Sequence, residues 1–78
     1  MERLKVKSFG LLTDVIGHDS IDFDFVDNTD ELRLKLIEAY PRLKQLTFSI
    51  AVNKKLISQI TALEIGDEIA LLPPFSGG

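Results

Sequence analysis

One segment alone, Asp30 to Tyr40, carries apolar residues at the spacing of a helix more than two turns long. Leu32, Leu36, Ala39, Tyr40 and, past the proline, Leu43 fall on one stripe, with Arg33, Lys35 and Glu38 off it. Leu34 lies outside that stripe. Within Asn28-Thr29-Asp30-Glu31 the expected N-cap is Thr29, and the following acids suit the positive end of the helix dipole. Pro41 ends or kinks the helix, and Leu43 and Leu46 continue the packing in an irregular turn. A chain with a single long amphipathic helix must find another apolar surface to cover it. The rest of the sequence supplies short, alternating runs.

Leu4 and Val6 alternate with Arg3, Lys5 and Lys7 across Glu2–Ser8, the pattern of a half-buried strand. From Phe9 to Ile16 the period changes, and Gly17 suits the position just after a short helix. Ile21, Phe23 and Phe25 alternate with acids as a second strand, antiparallel to the first. A third strand covers Phe48, Ile50 and Val52, followed by a turn at Asn53-Lys54-Lys55 and a short strand over Leu56 to Ser58. Gly66 can take a positive φ in the connection to the last strand, Glu68–Leu72. The order β, short α, β, long α, β, β, β fits an α+β protein: a mixed sheet of about five strands with one main helix across it. The β-grasp (ubiquitin-like) roll satisfies that order, with the first and last strands as parallel central neighbours. Residues 1–72 would form this domain, and 73–78 a flexible C-terminal tail.

At 78 residues the chain has little room for both a core and a deep active site, which favours a module that works on a partner. There are no cysteines, so a disulfide framework, a thiolate metal site and a cysteine nucleophile are excluded. A net charge of -3 argues against nucleic acid as a partner. No stretch approaches the roughly 18 apolar residues of a membrane span, so a cytoplasmic location without membrane attachment is expected. His18 is the only histidine and has no clustered ligands beside it. The acids between Asp19 and Glu31 read as a solvated strand face and a helix start, and no metal site is expected.

The ending Gly66-Asp67-Glu68-Ile69-Ala70-Leu71-Leu72-Pro73-Pro74-Phe75-Ser76-Gly77-Gly78 carries the chemistry. Pro73 and Pro74 lack the N–H that a sheet ladder needs, so the strand stops by Leu72. Paired prolines favour an extended arm, and six residues at about 3.1 Å each reach roughly 19 Å. Ser76, Gly77 and Gly78 have almost no bulk and can thread a narrow channel. The reactive group is then the α-carboxyl of Gly78. A carboxylate must be activated before use, and an acyl-adenylate would allow attack by an amine or by sulfide.

These residues, with Ala51-Val52-Asn53 and more loosely Phe9 to Gly17, resemble the small subunit of molybdopterin synthase, the MoaD-like sulfur carriers. Thiamine-pathway sulfur carriers share the fold and the Gly-Gly end. Gly10 stands where an alanine is common in the family. The resemblance implies a ubiquitin-activating-type enzyme that uses ATP to adenylate Gly78, and a sulfur donor that makes the Gly78 thiocarboxylate. It implies docking on a large synthase subunit, tail inserted, and sulfur transfer to the pyranopterin precursor of molybdenum cofactor. It also implies a heterotetramer, no permanently bound cofactor and no catalytic side chain on this chain. Another sulfur-carrier pathway, a modifier joined to lysines through Gly78, and a plain interaction module are the alternatives.

By alternation Ile69 and Leu71 should face the helix, leaving Glu68, Ala70 and Leu72 on the open face of the sheet. Ile57 should point in and Leu56 out. Leu56, Leu72 and Phe75 would then be exposed apolar groups near the tail, a docking surface for the partner.

Overall fold

The computed structural model describes residues 2–73. Its elements are β1 (Arg3–Ser8), α1 (Leu11–Ile16), β2 (Ser20–Asp24), α2 (Thr29–Ala39), a 3₁₀ turn (Pro41–Gln45), β3 (Ser49–Val52), β4 (Lys55–Leu56) and β5 (Glu68–Leu72). The five strands form one sheet in the order β2-β1-β5-β3-β4. β1 and β5 run parallel at its centre, with Val6 opposite Ile69 and Ser8 opposite Leu71. The other pairings are antiparallel. The expected β-grasp roll is therefore present, with its central parallel pair.

The core lies between the sheet and the helices. Leu4, Val6, Ile50, Val52, Ile69 and Leu71 point from the sheet toward Leu12, Ile16, Leu32, Leu36 and Leu43, all buried. Ile69 and Leu71 are fully covered, as the alternation in β5 required. Burying side chains of this size contributes about 1.5–3 kcal/mol each, which offsets the ordering entropy of so short a chain.

Several local expectations need correction. The N-cap of α2 is Asn28, whose side-chain oxygen accepts from the Glu31 N–H at 2.9 Å. Thr29 lies inside the helix and is buried, and its Oγ1 accepts from the Thr61 N–H at 3.0 Å. The threonine is thus used to hold the loop before β5, which leaves capping to its neighbour. Ala39 is exposed, because it sits about 60° round from Leu36 at the last turn of the helix. Leu34 is 63% exposed, in keeping with its place off the stripe. The fourth strand is Lys55–Leu56, shifted toward the turn from the expected Leu56–Ser58. Asn53 and Lys54 both take positive φ, 51° and 71°, which closes a two-residue hairpin and starts β4 at once.

Gly17 caps α1 in the left-handed region, its N–H donating to the Thr13 carbonyl at 2.7 Å. The Asn53 side chain bridges to Asp67 Oδ1 at 2.9 Å and accepts from the Glu68 N–H at 3.0 Å, tying the β3–β4 hairpin to the start of β5. Among the described residues no helix is long and apolar enough to cross a membrane.

Candidate functional site at the root of the tail

β5 is hydrogen-bonded on both sides, to β1 and to β3, and leads straight into Pro73. Any arm that follows is therefore anchored in the central strand of the sheet. Pro74, Phe75, Ser76, Gly77 and Gly78, to which the sequence assigns threading and reaction, lie outside the described residues. The residues that can be placed are those around the root.

The open face of the sheet is divided by its strands. On the β1–β2 half it carries Arg3, Lys5 and Lys7 beside Asp22 and Asp24. Arg3 pairs with Asp24, and Lys7 Nζ lies 3.2 Å from Glu68 on β5. These pairs are exposed, so each contributes about 0–1 kcal/mol and mainly fixes local polarity. On the β5–β3–β4 half the row is apolar. Ala70 is opposite Ala51, and Ala51 is opposite Leu56. Leu72 is opposite Ser49 on the next row.

Leu56 is 56% exposed, in agreement with the outward orientation expected for it. Ile57 is half-buried and packs against the core. Leu72 is half-buried and less open than expected, because it sits on the central strand with a neighbour on each side. Phe9 is a residue that the sequence reading passed over. It is 46% exposed and directly follows Ser8, the last β1 partner of β5. The β1–β5 pairing ends at Ser8–Leu71, and Phe9 lines a pocket with Lys7, Gly10, Thr13, Asp19 and Ser20. Its place between a strand and a helix of different period hid it from either pattern. Ala70 lies on this face as the alternation in β5 required, and its partner Ala51 is buried there.

Gly10 shapes the root from the helix side. It has φ 58° and ψ −135° and precedes α1 without a side-chain cap. A Cβ there would lie 3.3 Å from Pro73 Cγ. Gly10 thus allows α1 to start hard against the base of the tail. Ser8 closes the same corner: its Oγ donates to the His18 carbonyl at 2.7 Å and lies 3.2 Å from Thr13 Oγ1. His18 itself is exposed in the loop after α1. Among the described residues no group of three or more His, Cys, Asp or Glu side chains could hold a metal ion.

A five-stranded mixed sheet with a central parallel pair, one helix across it and the C-terminal strand in the middle defines a ubiquitin-like β-grasp protein. The chain belongs to the ThiS family, which it matches over residues 6–78. It is 39% identical to the molybdopterin synthase sulfur carrier subunit of Dictyostelium discoideum, with 97% of this chain and 96% of that protein covered. It resembles the small archaeal modifier protein 1 of Methanosarcina acetivorans in solution, with a TM-score of 0.83 and 28% identity over 100% of this chain and 98% of that one. It also resembles a chain in the complex of subunits 1 and 2 of the molybdopterin-converting factor of Helicobacter pylori. There the TM-score is 0.70 and the identity 32%, over 97% of this chain and 99% of that one.

Proposed function

We propose that this chain is the sulfur carrier of a molybdopterin synthase, working in the cytoplasm and docked on a large subunit through the apolar half of its open sheet face. The observation that carries the reading is the continuity of that surface with the tail. Exposed Leu56, half-buried Ala70 and Leu72, and exposed Phe9 after the end of β1 surround the approach to Pro73, so a partner that covers them also receives whatever follows Pro73. The similarity to molybdopterin synthase sulfur carrier subunits and to a two-subunit converting-factor complex supports it.

In this reading Gly78 is the reactive residue. A carboxylate oxygen of Gly78 attacks the α-phosphorus of ATP on an adenylating enzyme, releasing pyrophosphate. Sulfide from a donor adds to the acyl carbon and displaces AMP, leaving a thiocarboxylate. On the large subunit the thiocarboxylate sulfur attacks an oxygen-bearing carbon of the pyranopterin precursor and the C–O bond there breaks, its oxygen leaving; water then attacks the acyl carbon and cleaves the acyl C–S bond, which leaves the sulfur on the pterin as a thiol and returns the Gly78 carboxylate. Pro73, Pro74 and Phe75 extend the arm, while Ser76 and Gly77 let it thread a channel. Acid–base groups and ATP belong to the partners.

A second reading, a protein modifier joined to lysines through Gly78, draws on the similarity to a small archaeal modifier protein. Incubation with an adenylating enzyme, ATP and a sulfur donor separates the two by intact mass. The carrier gains about 16 Da on the tail peptide as sulfur replaces oxygen. A Gly78-to-lysine isopeptide and no such gain would overturn the carrier reading.

A further inference from the structure

A groove of about 160 Å³ opens on the helix side of the tail root, opposite the proposed docking face. Leu11 and Leu12 of α1, Leu46 after the 3₁₀ turn and Pro73 line it, with Gln45 and Thr47 at the rim. Leu12 forms a buried floor, Leu46 is half-buried, and Leu11 is 56% exposed. An apolar cavity of roughly 150 Å³ is large enough to admit a benzene ring. The groove therefore has the size and lining for one phenyl group.

We propose that this groove is the resting seat of the Phe75 ring of the same chain. Pro73 is itself a wall of the groove, and Phe75 follows two residues later. Two residues span up to about 7 Å, so the ring is within reach without any movement of the domain. Phe75 is the only large apolar side chain after Leu72, so the tail has one candidate for one seat. Gly10 keeps the path clear, because a Cβ there would push on Pro73 at 3.3 Å.

The seat gives the arm two states. In the parked state the ring fills the groove and the last three residues lie along the domain. In the extended state the ring leaves and the arm can enter a partner. A partner binds only the extended fraction, so parking lowers its apparent affinity by that fraction and protects the tail between encounters. Seating of the ring needs no sulfur chemistry and no second protein.

Methyl NMR on the full chain tests the seat. A phenyl ring in the groove shifts the Leu11 and Leu46 methyls upfield, and Phe75→Ala abolishes the shift. Leu46→Asn makes the seat polar and should move the Gly77 and Gly78 amide signals to their positions in Phe75→Ala. If Leu46→Asn does not fold, Leu11→Asn at an exposed position serves instead. Leu11 and Leu46 methyls that are the same in wild type and Phe75→Ala would overturn the proposal. So would a shift that vanishes on dilution, which would place a second copy's ring in the groove.

Discussion

Gly10→Ala tests the geometry at the root of the tail. The residue stands at φ 58° and ψ −135°, a conformation that an L side chain rarely adopts. Holding a non-glycine residue in such a region costs of order 1–3 kcal/mol. The added Cβ also meets Pro73 Cγ at 3.3 Å, close enough that the proline must give by a few tenths of an ångström. Gly17 is an internal control. It has φ 89°, but nothing lies within 4 Å of a Cβ built there, so Gly17→Ala pays only the left-handed backbone cost of about 1–2 kcal/mol. For a domain of this size 1 kcal/mol moves the melting midpoint by about 4–8 °C, so Gly10→Ala should melt roughly 5–20 °C below wild type. Urea unfolding followed by circular dichroism gives the free energies directly, given an unchanged slope. The double variant with Pro73→Ala separates the two causes: rescue measures the contact with Pro73, and the residue left over measures the backbone. A Gly10→Ala protein as stable as wild type, or less affected than Gly17→Ala, would refute the assignment of Gly10 to a strained helix start.

Two further outcomes follow from positions described above. Covering the exposed part of Leu56 is worth about 1 kcal/mol, and Leu56→Asp adds the cost of desolvating a carboxylate, so affinity for a large synthase subunit should fall roughly tenfold or more with folding intact; Leu72→Asp, nearer the tail, should fall at least as far. Unchanged affinity by calorimetry for both variants would remove the open face as the docking surface. Thr29→Val keeps the volume but removes the acceptor for the Thr61 N–H, and should cost about 1–3 kcal/mol in urea unfolding; a loss below about 0.5 kcal/mol would show that the Thr61 N–H finds another partner.

The parts of the fold that were legible in the sequence are those marked by punctuation or by full alternation. Gly66 before β5 and Pro73 after it fix Glu68–Leu72 at both ends, and Gly17 marks the end of α1 through its left-handed φ. Misplaced elements share a different cause. Asn28 and Thr29 are both good caps by composition, and the choice between them is made by a distant residue, Thr61, which the local pattern does not contain. β4 moved because Asn53 and Lys54 close a tight turn at positive φ without a glycine to announce it. The candidate site was half legible. Leu56 follows from strand parity alone, while the neighbours that lower the exposure of Leu72 come from strands far off in sequence. Phe9 comes near the root because β1, which it follows, pairs in parallel with β5 from the other end of the chain, a relation with no local signature.

That parallel pairing also decides how the molecule bears load. A partner that draws on the arm pulls β5 along its own axis. The strand is held on one side by β1 and on the other by β3, so the ladder bonds on both sides are strained together and in shear, not opened one after another. Edge strands β2 and β4 take none of this pull directly. The tail is thus tethered to the central strand, and a tug at its tip is shared between two ladders at once.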